Sequence, residues 1–249
     1  MTPEIIFEDS FLCVINKPWG MVTNNAESVK GETVQGWFVS RLDPSPSIPR
    51  DQDDNSTEFI QKGGVVHRLD RDTSGILILA KTEEAYEGLK KQFLERTTIK
   101  KYVALVHGHL KEETGILSTP IDRHPKDRHK FAVTGDLSRT AITEWRVIKN
   151  YEFGIMNNGE KFSLVELTPH TGRTHQLRVH MQHLGHPIVS DPIYGFQKKL
   201  KQDLEICSRL FLHARLLTVI HPVTGVIQTF EAGLPKELQN VLDSSLHSE

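Results

Sequence analysis

The stretch VVHRLDRDTSGILILAKT, residues 65–82, places a carboxylate, Asp70, two residues after Arg68 and directly before Arg71. Apolar runs flank this polar centre. Val65–Val66 and Ile76–Ala80 are rich in β-branched and aliphatic residues and read as buried strands. HRLDRDTSG, residues 67–75, then reads as a turn fixed at both ends, with Thr73 and Ser74 shaping it. An unpaired buried carboxylate is costly and tends to protonate, whereas neighbouring cations keep it ionised at neutral pH. In a cleft, such a group can serve as a nucleophile or a general base. It can equally be half of a structural ion pair, a common and nearly neutral arrangement, and local charge alone does not separate the two.

Working outward, Ile5–Phe7 and Phe11–Ile15 read as short strands, and Glu32–Leu42 as a helix with Val34, Phe38 and Leu42 on one face. Asp43–Gly64 is rich in Pro, Ser and Asp without a sustained period, and reads as a flexible surface loop. Thr82 is placed to cap a helix running to about Arg96, with Ala85, Leu89 and Phe93 recurring every four residues and Glu83 and Glu84 in the electropositive first turn. Lys100–Gly108 reads as a strand, and TAITEWRVI and FSLVELT alternate with period two. Thr174–Leu184 reads as a helix closed by Gly185 and Pro187. RLLTVIHPVTGVIQTFEA suggests a hairpin turning at Pro222–Gly225, and residues 236–249 read as a polar tail. Strands joined by hairpins, rather than regular β-α-β alternation, point to an α+β fold around a mixed, mostly antiparallel sheet, in a single domain over residues 1–249.

A hydrophobic content of 37% over 249 residues is enough for a sizeable core. Cys13 and Cys207 are too few and too distant for a disulfide framework or a four-ligand zinc site, so a reducing, cytoplasmic location is expected. The first residues lack a basic segment followed by an apolar one, which argues against a secretory signal, and no apolar run reaches membrane-spanning length. The formal net charge of -2 is unevenly spread: residues 1–62 carry a net -5, residues 63–187 a net +4 and residues 188–249 a net -1. A small positive surplus around the motifs is compatible with a phosphate-contacting face on an otherwise acidic protein.

Two further constellations stand out. TPHTGRTHQLRVHMQHLGHP, residues 168–187, places Leu177, Met181 and Leu184 on one helical stripe as core, and His175, Arg178 and Gln182 on another, open to a cleft. Its five histidines invite a metal reading, but there is no HExxH, no carboxylate close in sequence, and neither cysteine is near, so no metal is expected. IDRHPKDRHK, residues 121–130, offers Arg123, Lys126, Arg128 and Lys130 against two acids. It reads as a projecting loop, either a solvated charge run or a grip on a phosphate backbone.

HRLDRDTSG at 67–75, KKYVALVHG at 100–108, GRTHQLRVHMQHLGHPIVSDPIYG at 172–195 and NKPWGMV at 16–22 together resemble pseudouridine synthases of the RluA type. A lone HRLD is weak; four ordered motifs over roughly Ile5 to Pro235 are specific. The resemblance implies a pseudouridine synthase fold with a central catalytic cleft, and an RNA-modifying isomerase that detaches uracil at N1–C1′, turns it and reattaches it through C5. It implies no cofactor, with ribosomal or transfer RNA as partner; a monomer is expected. Asp70 matches the catalytic aspartate, acting by attack at C1′ or by removing the ribose 2′ proton, and either route needs the ionised form. Arg178 matches the arginine that pairs with that aspartate, and Tyr102 the tyrosine that stacks on the flipped base and helps remove the C5 proton. Arg68 matches the residue that enters the RNA where the uridine leaves the stack. Arg71, Lys17, Arg173 and His175 are further candidates for cleft or phosphate contacts, and residues 121–130 fall where the family carries a hairpin that closes over RNA.

Two departures bear on substrate fit. Ser190 stands where a glycine is usual before the Asp of the GDxxYG-like segment, and Asn24–Asn25 replace His-Pro after KPxG. No S4-like RNA-binding domain is expected ahead of the matching region, so target choice is expected from loops of the catalytic domain, including Asp43–Gly64. Two rivals remain at this level. DRDTS at 70–74 partly matches an aspartyl-phosphate phosphotransferase motif, although Ser74 fills its fifth position. A catalytically silent RNA-binding module would use the same fold without turnover.

Overall fold

The computed structural model describes residues 2–27, 29–42, 57–127, 130–153 and 160–244. Two compact units emerge, one of residues 1–99 and 216–232, the other of residues 100–215 and 233–249.

In the first unit, β1 (Glu4–Glu8) and β2 (Leu12–Lys17) pair antiparallel, and β2 pairs antiparallel with β3 (Ser74–Ala80). All seven residues of β3 are buried, as its unbroken apolar run requires. Between β2 and β3 lie α1 (Val34–Arg41) and α2 (Glu58–Lys62). The Thr33 hydroxyl caps α1 by accepting the Gly36 N–H at 2.9 Å, and Val34, Trp37 and Phe38 are buried. Helix α2 corrects the reading of residues 43–64 as one flexible loop; residues 43–56 lie outside the described ones. Phe59 is buried, and Gly63 closes the helix in the left-handed region. After β3, α3 (Glu83–Glu95) is capped by Thr82, whose hydroxyl accepts the Ala85 N–H at 3.2 Å. It lays Ala85, Tyr86 and Leu89 on Leu12, Val14, Ile76 and Ile78. Each aliphatic side chain fully buried there contributes about 1.5–3 kcal/mol.

In the second unit, β4 (Ile99–His107), β5 (Thr114–Arg123), β6 (Phe131–Val133), β7 (Thr140–Phe153) and β8 (Glu160–Pro169) form antiparallel pairs in the spatial order β4-β8-β7-β5-β6. β5 and β6 were not expected as strands. α4 (Gln176–His183) packs Leu177 and Met181 into a core that includes Val103, Leu105, Val165 and Leu167. α5 (Leu200–Ile206) follows. β9 (Leu212–Ile220) gives its first four residues to the second unit and the rest to the first, where it pairs antiparallel with β10 (Ile227–Glu231). The turn falls where the sequence puts it: Gly225 has φ 72° and donates its N–H to the His221 carbonyl at 2.9 Å. α6 (Lys236–Ser244) corrects the reading of residues 236–249 as a polar tail. Leu238, Val241 and Leu242 are buried in the second unit's core, an i, i+3, i+4 stripe too short to stand out in the sequence. Among the described residues no helix is long and apolar enough to cross a membrane.

Candidate active site

Asp70 opens a tight turn in the first unit: Thr73 donates its N–H to the Asp70 carbonyl at 3.1 Å. Residues 17–23 pin the turn. Leu69 is buried, and its carbonyl accepts the Thr23 hydroxyl at 2.8 Å. The Arg71 carbonyl accepts the Gly20 N–H at 2.9 Å and the Lys17 ammonium at 3.3 Å. Gly20 has φ 84°, a conformation that a Cβ would strain, so glycine brings its amide to the turn without that cost. Upstream, the His67 ring stacks on Phe93 at 4.5 Å and accepts the Ile78 N–H on Nε2 at 3.1 Å. Downstream, Thr73 and Ser74 are buried, and Gly75 pairs with Lys17 as β3 begins. A half-buried carboxylate thus sits on a backbone fixed from both sides, which suits a group that must meet a reacting atom within a fraction of an ångström. Arg68 and Arg71 are exposed, and Arg71 directs Nε to the Gly20 carbonyl at 3.3 Å.

Lys17 is a correction. Fully buried, its ammonium also donates to the carbonyls of Met21 and Pro18 at 2.8 and 3.0 Å, so it offers no exposed atom for a phosphate. Carbonyl oxygens stand in for the water that a buried ammonium loses.

In the second unit, the Arg178 guanidinium is 2% exposed and forks onto Asp191: Nε donates to Oδ2 and Nη2 to Oδ1, both at 2.8 Å. The Asp191 carboxylate also accepts the N–H groups of Ile193 and Tyr194 at 2.9 Å. The cationic carbon of Arg178 lies 5.1 Å from the Tyr194 ring centroid. Asp191 is the residue that sequence reasoning missed. Its signal was there, in a DPIYG turn thirteen residues beyond the arginine, and only the fold brings the two together. The expected open face of α4 is also corrected: Gln182 is exposed, Arg178 is buried, and His175 precedes the helix in a left-handed conformation with φ 55°. The helix therefore starts at Gln176, whose amide is held by Thr171, Thr143, the Ile142 carbonyl and the Arg173 N–H. His180 sits buried between the Thr119 and Thr143 hydroxyls at 3.1 and 2.9 Å, and burial pushes its pKa down to about 4.

Tyr102 lies on β4 opposite Leu167, partly buried against the core. Arg173 is exposed and its backbone N–H is held by Gln176. In the 121–130 segment, residues 121–123 end β5 and residue 130 directly precedes β6, while residues 128–129 lie outside the described ones. His124 donates its N–H to the Lys130 carbonyl at 2.9 Å, and its Nδ1 accepts the N–H groups of Lys126 and Asp127. Arg123 lies over the Phe131 ring at 5.6 Å; Lys126 is exposed and Lys130 half-buried. Arg128 lies outside the described residues. Among the described residues no group of three or more His, Cys, Asp or Glu is placed to hold a metal ion.

Residues 12–183 match the RNA pseudouridylate synthase family. The chain belongs to that family. Over 245 residues it is 36% identical to an uncharacterized RNA pseudouridine synthase, YlyB, of Bacillus subtilis, covering 98% of this chain and 73% of the relative. Over 241 residues it is 36% identical to the ribosomal large subunit pseudouridine synthase D of Zymomonas mobilis, covering 95% and 70%. Two solved human structures, RNA pseudouridylate synthase domain containing 1 and 4, share the fold with TM-scores of 0.67 and 0.68 at 24% and 23% identity. They cover 99% and 98% of this chain, and 95% and 93% of their own. The protein is thus an α+β pseudouridine synthase, an isomerase acting on RNA. The two departures from the family pattern find physical explanations in its fold. Ser190 has φ 57°, the left-handed region that glycine enters freely, and its hydroxyl lies 2.9 Å from the Asp203 carbonyl and 2.5 Å from that of Cys207. Asn25 donates its backbone N–H to Gln35 Oε1 at 2.9 Å, a bond a proline could not make.

Proposed function

We propose that this pseudouridine synthase converts uridine to pseudouridine in large-subunit ribosomal RNA, with Asp70 as the catalytic carboxylate. The N1–C1′ bond breaks, the base turns, and C5 joins C1′; the C5 proton leaves and N1 takes one up, so composition is unchanged. Asp70 acts by attack at C1′ or by taking the ribose 2′ proton, and both routes begin from the ionised group. Tyr102 stacks on the base and serves removal of the C5 proton, and Arg178, forked onto Asp191, is the buried cation of the catalytic set. Arg68 fills the place of the flipped uridine, whose extrusion costs a few kcal/mol and is easiest from a loop or bulge. Arg71, Arg173, His175 and the cations of the β5–β6 hairpin contact the RNA backbone.

The observation that carries this reading is the Asp70 turn, pinned by Lys17, Gly20 and Thr23 in a chain of this family. The ribosomal target is supported by the relatives named for the large subunit, in Zymomonas mobilis and Pseudomonas aeruginosa. The test is to incubate purified protein with unmodified transcripts of large-subunit ribosomal RNA and of transfer RNAs and to map pseudouridine in each. Modification of the ribosomal transcript is expected. Modification of transfer RNA alone would move the target, and none in either would overturn the proposal.

A further inference from the structure

Tyr194 stands at a junction inside the second unit. It is 2% exposed, its N–H is held by the same Asp191 carboxylate that forks Arg178, and its ring faces the guanidinium. At the other end, the Tyr194 hydroxyl accepts the Phe131 N–H at 2.9 Å and lies 2.9 Å from Nδ1 of His175. Phe131 opens β6 and stacks beneath Arg123 of the basic hairpin, while His175 directly precedes the helix that carries Arg178. The His175 ring also meets the Phe131 and Tyr194 rings edge-on at 5.7 and 5.5 Å. One rigid aromatic side chain therefore touches the backbone of the hairpin at its hydroxyl and the clamp of the arginine at its base.

We infer that Tyr194 is a positioning residue that couples the β5–β6 hairpin to Arg178, so that RNA drawing on the hairpin also sets the guanidinium. The inference rests on the role proposed above for Arg178. The coupling is physical: the Asp191 carboxylate accepts four hydrogen bonds, two from Arg178 and two from the 193–194 backbone, so a shift of the Tyr194 turn rotates the acceptor oxygens to which the guanidinium is fixed. A ring with two torsions, packed and bonded at both ends, transmits such a shift instead of absorbing it.

Tyr194→Phe removes the hydroxyl and keeps the ring. Turnover is read as tritium released from C5 of uracil in an unmodified large-subunit ribosomal RNA transcript, with transcript affinity measured separately. Hydrogen exchange at the Phe131 amide and at Arg178 Nε–H is followed by NMR in the whole 249-residue chain without RNA. The expected result is a kcat lower by about tenfold, with KM and affinity within about twofold, and exchange at both sites faster by about tenfold. Exchange that speeds up at Phe131 but stays unchanged at Arg178 overturns the coupling, as does an unchanged kcat. Should the parent enzyme release no tritium from any transcript, the proposed function fails, and the exchange comparison still decides the coupling.

Discussion

Lys17 is fully buried beneath the Asp70 turn, and its Nζ donates to the backbone carbonyls of Pro18, Met21 and Arg71 among its partners. Lys17→Met keeps the stem and removes the donors, leaving those carbonyls without it; stability is expected to fall by about 1–3 kcal/mol in urea unfolding, with kcat reduced more than RNA affinity. His180 gives a pH signature. The unfolded chain takes up this proton near pH 6.5, the folded protein only near pH 4, because burial disfavours the charged ring and His183 adds repulsion. Stability from the neutral ring is therefore complete above about pH 6.5, declines as pH falls and is lost below about pH 4, roughly 3 kcal/mol in all. Urea unfolding across that window is expected to show a shallower acid slope in His180→Gln, whose amide can still reach the Thr119 and Thr143 hydroxyls. An equal slope would remove His180 as the cause. At this scale the sequence shows which residues carry charge but not what they meet. The buried strand that follows Asp70 is legible because β3 is one local apolar run, whereas residues 17–23, which pin the turn, are distant in sequence. The Arg178–Asp191 fork and the burial of Lys17 are not legible, because each depends on contacts that only the folded chain makes.

Elements are legible where a period runs long enough to be seen. α3 shows Ala85, Leu89 and Phe93 beside a Thr82 cap, and β3 is one unbroken apolar run. α6 has only three buried positions among polar ones, α2 has five residues, and β5 contains Gly115 and Pro120, which resemble a connection. Gly115 has its own reason to be in a strand: a Cβ there would lie 2.0 Å from the Trp145 ring on β7, so the absent side chain makes room for the indole. Gly115→Ala is expected to destabilise by about 1–3 kcal/mol through overpacking, seen as a lower urea midpoint at unchanged slope. An unchanged midpoint would mean that β5 and β7 part without cost.

Across the whole molecule the net charge is -2, and the positive surplus of residues 63–187 spans HRLDRDTSG, KKYVALVHG and most of the 172–195 motif. Binding to RNA through local cations on an acidic protein depends on salt in proportion to the phosphates contacted. Arg123→Ala on the hairpin is expected to weaken affinity for the ribosomal transcript and to lower the magnitude of the log–log salt slope by about 1. An unaltered slope would take that side chain off the backbone. The family and fold were legible because four motifs recur in order along the chain, a pattern no local contact can disguise. The central claim is that the Asp70 carboxylate starts the exchange of the glycosidic bond. It is tested most directly by measuring tritium release from a C5-labelled, unmodified large-subunit ribosomal RNA transcript with the parent enzyme and with Asp70→Asn, which keeps the backbone carbonyl that accepts the Thr73 N–H. The expected result is release by the parent enzyme and none by the variant, at equal RNA affinity; release by Asp70→Asn at the parent rate would contradict the account.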